Sequence, residues 1–376
     1  MSNLVHIIGR FPPPIDGQTM ATLRQADLLE RVYEVQRINT SPPEDEWVAA
    51  EARFRVNRVW HYLRQRRHIR EALRRAPEAP VLWNSISPTS LGHGRDVFTV
   101  LPAIARQHPL YAVLHRATFD DLFRSPLTAA TARHVVNRVS GFVFQNRLLA
   151  ERCAPWIPDR KRFVIPNTID DAVLCTDAEV AAKQQARTLR RSMRLLFLSN
   201  MMPEKGYLDV LQAVHRLHAR GLSIQADFAG RWVSDADRTA FERLVEQYDL
   251  GSAVHHHGGV SERAGVKALN LKADVFLLPS YHPTETQPLA ILEALNAGTP
   301  VITTRHSTLP DMVGKGMETL LVPPQAPEAI AEAVQRLAEV DAWQRFSQHA
   351  HRQFQTRFSP DAVRKQWVDL LQRVDT

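Results

Sequence analysis

Short apolar runs alternate with amphipathic stretches along most of this chain. The run "LVHIIG" (4–9) ends at a glycine and reads as a buried parallel strand. A Pro-rich loop, "FPPPIDGQT", follows, and "MATLRQADLLERV" has apolar positions at helical spacing. "YEVQRINT", "PVLWNSIS", "LYAVLHRA", "VSGFVFQN" and "KRFVIPNTID" are further strand candidates. The segment between the first two of these predicts a long helix with Val56, Val59, Trp60 and Leu63 as its apolar positions. Strands alternating with helices indicate an open parallel sheet.

The alternation stops at residues 171–192, a polar stretch with no strand signal that is expected to be a linker. It then restarts with "RLLFLSN", "SIQADFAG", "AVHHHGGV", "ADVFLLPS", "PVITT" and "ETLLVPP" as strands, separated by helical patterns. Two doubly wound α/β domains are therefore expected, 1–170 and 193–350, facing each other across a cleft. In such sheets ligands bind beyond the carboxyl ends of the strands. The last residues, 351–376, are expected as a helix that packs back on the first domain.

Length and composition agree with this picture. The chain has 376 residues, 44% of them hydrophobic and 23% charged, which suits two soluble domains. No apolar run approaches the roughly 20 residues needed to span a bilayer. The opening residues are too short an apolar run for a secretory leader. Cys153 and Cys175 have neither zinc nor C-x-x-C spacing, so a reducing, cytoplasmic setting is expected.

Charge adds one question. The formal net charge is +7, and residues 52–76 hold nine arginines against one glutamate. Two readings stay open for that segment: a solvated helix face, or docking on an anionic membrane surface, which would make the protein peripheral on the inner face of the cell membrane. Nucleic acid is not expected as a partner, because no helix-turn-helix, zinc finger or aromatic platform is present.

Three stretches carry chemistry. "RLLFLSNMMPEKGYLDVLQAV" places Asn200 at a strand end and Lys205-Gly206 at the start of a helix, where a cation and free backbone N–H groups form an anion site. "VFLLPSYHPTETQPLAILEALNAGTPVI" places Glu285 in a loop after a strand, Pro288 near a helix start and Glu293 inside an otherwise apolar helix. A charge there is costly unless it is used or paired. "YAVLHRATFDDLF" places His115 just beyond a strand end, with Asp120 and Asp121 expected as exposed acids at a helix start. "VHHHGG" (254–259) is read as strand residues facing opposite sides, and no metal site is expected.

The set "SNMMPEKG", "FLLPS", Glu-x7-Glu and "EALNAGTPVI", with "VIPNTID" and "PPPIDGQTMATL", resembles the family-4 retaining glycosyltransferases of the GT-B fold, of the bacterial envelope and exopolysaccharide type. The resemblance spans most of the chain. It implies an acceptor-side first domain and a second domain that binds a nucleotide sugar, UDP- or GDP-linked. No cofactor or metal is implied. It assigns Lys205 to the donor diphosphate, Glu293 to the ribose, and Glu285 with the amides of Thr286, Gln287, Pro288 and Leu289 to the donor sugar. His115 would lie near sugar and acceptor. The acceptor would be a glycan or a lipid-linked glycan. Retention would proceed by front-side attack, with the leaving diphosphate helping to take the hydroxyl proton.

Departures from the family pattern are visible. The usual arginine five residues before the lysine is Asn200, for which Arg231 in "FAGRW" is a candidate replacement. The first-loop Gly-Gly is Asp16-Gly17, so only Gly17 transfers. An aromatic-glycine pair is replaced by Gln287-Pro288, and a Gly-Gly-x-x-Glu segment by "RHSTLPDM". These losses leave one alternative open, a non-catalytic protein that binds a nucleotide sugar or an anionic polymer on a GT-B scaffold. A two-carboxylate hydrolase fits less well, since glycosidases need both carboxyls flanking one bond.

Overall fold

The computed structural model describes residues 3–13, 17–41, 56–84, 86–116, 118–314 and 316–373; in the helix Val56–Leu73 side chains are described from Tyr62 onward. The chain divides into two compact units. One comprises Met1–Thr168 with Val363–Thr376, the other Ile169–Ala362.

The first unit is built on a six-stranded sheet: β1 (Leu4–Gly9), β2 (Glu34–Asn39), β3 (Val81–Trp83), β4 (Leu110–Leu114), β5 (Gly141–Phe144) and β6 (Arg162–Val164). Their order is β2-β1-β3-β4-β5-β6, and every pairing is parallel. Apolar side chains on both faces of β3, β4 and β5 are buried, as a sheet covered on both sides requires. Val363, Trp367, Leu370 and Leu371 of the terminal helix Pro360–Gln372 belong to one of this unit's apolar clusters, with Ile7, Leu82 and Val113.

The second unit repeats the plan with β7 (Met193–Leu198), β8 (Ile224–Ala229), β9 (Val254–His256), β10 (Val275–Leu278), β11 (Val301–Thr304) and β12 (Leu321–Val322). The order is β12-β11-β10-β7-β8-β9, again all parallel. The order reverses between β7 and β10, which therefore flank the topological switch point.

Two boundaries differ from expectation. The stretch read as a linker contains a helix, Asp177–Thr188, opened by a capping box in which Thr176 and Glu179 exchange bonds. Val180 and Lys183 of that helix are buried in the second unit. A helix lacking a broad apolar face looks like a linker in sequence; here a lysine does the anchoring. Lys183 Nζ donates to the Asn270 and Ala297 carbonyls at 2.9 and 3.1 Å, and to Thr299 Oγ1. The second boundary is at the end of the chain. The helix Val340–Gln353 runs through a π-turn, Phe354–Phe358, into Pro360–Gln372, and only the residues from Val363 onward join the first unit.

The arginine-rich helix also differs in detail. Its buried positions are Ile69 and Leu73, whereas Leu63 is exposed. The side chains of Val56, Val59 and Trp60 lie outside the described residues.

Candidate functional site

In the second unit, the residues singled out by sequence lie in loops that leave the carboxyl ends of the strands. Asn200 and Lys205 follow β7, Arg231 follows β8, and Glu285 follows β10. Lys205 and Glu285 thus come from the two strands that flank the switch point.

They meet there. Lys205 Nζ donates to Glu285 Oε1. Backbone contacts hold the two loops together: the Tyr281 N–H donates to the Glu204 carbonyl at 2.8 Å, and Ser280 Oγ to the same carbonyl at 3.2 Å. Gly206 completes the junction. It sits at φ +81°, and a Cβ there would lie 2.6 Å from the Pro279 carbonyl oxygen. The structure requires glycine here for a left-handed turn pressed against the β10 loop.

Glu285 is 8% exposed. Its Oε2 is buried with no hydrogen-bond partner among the described residues. Its carbonyl accepts from Ser307 Oγ at 2.9 Å and from Thr308 Oγ1 at 3.2 Å, and Thr308 also bonds the Thr286 carbonyl at 2.6 Å. The segment "RHSTLPDM", which departs from the family pattern, is therefore the strut under the glutamate loop. Ser307 stands at φ +50°, where glycine is favoured.

The loop leads into the helix Leu289–Asn296, with Pro288 at its N-cap. First-turn N–H groups have no partner within a helix, so this end presents donors. Pro288 has no N–H, which corrects the expectation of an unbroken row of amides: Thr286, Gln287 and Leu289 can donate, Pro288 cannot.

Glu293 is buried on this helix, as the apolar surroundings suggested. What the sequence did not reveal is its partner. Arg263 Nη2 donates to Glu293 Oε1, and Arg263 Nε lies 2.9 Å from Asp170 Oδ2. Burial opposes the charge on Arg263, but Glu293 and Asp170 outweigh it and raise its pKa. The only sequence signal was an arginine at the start of a helix, where the dipole disfavours it.

Asn200 and Arg231 are both exposed, on neighbouring loops joined by the Met201 N–H to the Arg231 carbonyl at 2.9 Å. The Arg231 side chain lies over Gly259, where a Cβ would approach its Cγ to 2.5 Å. Neither is bonded to the Lys205–Glu285 pair. In the histidine tract, His256 bonds the Gly230 carbonyl at 3.0 Å, while His257 reaches Asp227 at 2.6 Å. Asp227 comes from the adjacent strand, which sequence spacing hid.

In the first unit, Gly17 opens the helix Gly17–Leu29 with open space where a Cβ would stand. Asp16 lies outside the described residues. His115 follows β4, and its Nδ1 is 2.5 Å from Gln145 Nε2, which also donates to Asn167 Oδ1 at 3.1 Å. This amide fixes Nδ1 as the acceptor and leaves Nε2 as the protonated nitrogen. Asp121 is exposed, but Asp120 is fully buried, a correction. Arg152 and Arg124 bind its carboxylate at 2.6 and 3.0 Å, so it is a structural ion cluster.

Comparison with known proteins agrees with this geometry. Residues 181–353 match the family described as glycosyl transferases group 1. The colanic acid biosynthesis glycosyltransferase WcaL of Salmonella typhimurium, itself named as putative, is 28% identical over 48% of this chain and 45% of its own length. The similarly named teichuronic acid biosynthesis glycosyltransferase TuaC of Bacillus subtilis is 28% identical over 39% of this chain and 33% of its own. The chain thus spans less than half the length of these curated relatives in the matched regions. Among solved structures, Anabaena HepE in complex with UDP superposes with TM-score 0.71 at 15% identity, over 99% of this chain and all of that one. A glycosyltransferase from Rickettsia africae gives 0.72 at 15% identity, over 99% of both. The fold is GT-B, and within the second unit residues 181–353 are similar to the glycosyl transferases group 1 family.

Proposed function

We propose that this chain transfers a sugar, with retention, from a UDP- or GDP-linked donor to a glycan or lipid-linked acceptor in bacterial surface polysaccharide or glycoconjugate synthesis. The observation that carries the reading is the Lys205–Glu285 contact at the β7/β10 switch point, inside the stretch similar to the group 1 family. Relatives named for polysaccharide synthesis, and an Anabaena neighbour solved with UDP-glucose, support it.

Lys205 supplies positive charge where the leaving diphosphate gains negative charge, and it does so without a metal ion. Glu285, with a buried oxygen still able to accept a bond, holds a donor-sugar hydroxyl. Glu293 accepts from the ribose, and His115 orients a sugar or acceptor hydroxyl. The departing phosphate oxygen takes the proton of the attacking hydroxyl on the same face. Positioning and charge stabilisation are then the protein's main contributions. A lysine and a glutamate kept in contact at the switch point argue against a non-catalytic binding protein.

A surface of the first unit supports a peripheral membrane setting. Leu63, Arg67 and Arg70 are exposed and share one stripe of the helix Val56–Leu73, and Arg74, just past its end, is exposed too. Leu91 and Phe98, seven residues apart on the helix Ser90–Thr99, are 90% and 70% exposed. Arg95 of that helix lies over the Tyr62 ring of the other at 6.0 Å. Cationic and apolar side chains side by side suit an anionic leaflet, where a lipid-linked acceptor would be held. Among the described residues no helix is long and apolar enough to cross a membrane.

The test is nucleotide release from a panel of UDP-, GDP- and ADP-sugars with glycan and lipid-linked acceptors. Absence of both turnover and nucleotide binding overturns the reading.

A further inference from the structure

We infer that Arg263 is a positioning residue for the ribose end of the donor site, holding the Glu293 carboxylate in one orientation to receive the ribose hydroxyls. The inference rests on the proposed reading that the second unit binds a nucleoside diphosphate.

Glu293 stands on the helix Leu289–Asn296 among leucine, isoleucine and alanine, with 5% of its surface exposed. A carboxylate in such a place needs a partner to remain charged at tolerable cost. Arg263 is that partner, bonded through Nη2 to Oε1. A carboxylate accepts several bonds, so one guanidinium contact leaves capacity for a diol.

Arg263 is itself held from a second side. Its Nε faces Asp170 Oδ2 at 2.9 Å, so its planar fork is shared between two carboxylates. A lysine's ammonium has several donors, but it lacks the planar fork that lets one guanidinium face two carboxylates at once. The position is also unfavourable for a cation, because Arg263 is the first residue of the helix Arg263–Lys272, at its positive end. Helix propensity and capping therefore do not account for the arginine, whereas the two carboxylates do.

The local charge decides what this end of the site accepts. Two carboxylates against one guanidinium leave a net negative cluster, which repels phosphate and attracts hydroxyl donors. The cation suited to phosphate, Lys205, is on a different loop, paired to Glu285. Phosphate and ribose ends are thus separated by charge, and Arg263 fixes the polarity of the second.

Calorimetric titration of the full chain with UDP, GDP and ADP, each against its 2′-deoxyribose counterpart, tests this. With the base that binds best, the wild type is expected to prefer the ribonucleotide by about tenfold, the worth of a hydrogen bond to a charged acceptor. Arg263→Gln is expected to bring the ribonucleotide-to-deoxynucleotide affinity ratio down to about one. Glu293→Gln should likewise abolish the preference, and the double variant should lose no more of it. Arg263→Lys should recover only part of the preference. A wild-type preference that survives in Arg263→Gln overturns the inference and leaves the nucleotide-binding reading standing. If no nucleoside diphosphate binds the wild type, both fall. Should Arg263→Gln fail to fold, Asp170→Asn decides: a reduced preference supports the role, and an unchanged one overturns it.

Discussion

Lys205 and Glu285 are separated by 80 residues in sequence and form an ion pair where β7 and β10 end. Their side chains are 15% and 8% exposed. On the proposed reading, an incoming diphosphate competes with Glu285 for the ammonium, so the pair would gate donor binding as well as supply the site's charge. Lys205→Ala should lower turnover by about 10²- to 10³-fold, the usual loss for one electrostatic contact to a transition state. Steady-state kinetics beside a circular-dichroism spectrum separates this from unfolding.

Glu285→Gln gives the opposite sign for binding. It frees Lys205 from its intramolecular partner, so the affinity for UDP or GDP should rise several-fold while transfer falls. Titration calorimetry with the nucleoside diphosphate alone reads the first effect, and the sugar-transfer assay reads the second. A loss of nucleotide affinity would show that Glu285 assists Lys205 rather than competing for it.

Gly206→Ala should destabilise the second unit. The substitution places a Cβ at φ +81° and 2.6 Å from the Pro279 carbonyl oxygen, so the loop after β10 must shift. A loss of about 1–3 kcal/mol is expected from urea unfolding. Because the same shift separates Lys205 from Glu285, turnover should fall in the fraction that remains folded.

Lys183 predicts a pH dependence. Burial pushes its pKa down from 10.5 to about 7, against the attraction of Asp274. Between these values the unfolded chain holds a proton that the folded chain does not, so stability rises with pH across that window. Below about pH 7 the cost of burying the charge is fully present. Lys183→Met removes this dependence: unfolding free energies of wild type and variant should diverge in favour of wild type from pH 7 to pH 10. Parallel curves would show that the three acceptors around Nζ keep the amine charged in the fold.

Vesicle sedimentation tests the basic and apolar surface. Binding to phosphatidylglycerol vesicles should exceed binding to phosphatidylcholine vesicles and weaken with salt. Leu91→Ser with Phe98→Ser should reduce it at any salt, since these side chains supply the apolar part. Equal binding to both lipids, or none, removes the membrane from the proposal.

Local pattern decided a large part of this protein. Eleven of the twelve strands lie within the stretches that mark them, and β7 begins one residue earlier, at Met193. The central strands β3, β4, β5 and β10 are apolar and buried throughout, and a strand covered on both faces leaves that continuous signature. Lys205 and Glu285 stood out because spacing from a strand end places a residue at the carboxyl edge of a parallel sheet, and Glu293 because a charge inside an apolar helix needs a use or a partner; the family resemblance suggested their roles. The pairing of charges was not legible. Glu293 finds Arg263 at 30 residues' distance and Lys205 finds Glu285 at 80. The burial of Asp120 between two arginines, and the helix within the expected linker, were equally hidden. Nothing local marks such partners, since a long polar side chain obeys no period and its neighbour is set by which strands lie side by side. Sequence alone determined which residues reach the end of the second sheet; only the tertiary order β10-β7, which sets two non-consecutive strands side by side, decided that a lysine from one would neutralise a glutamate from the other.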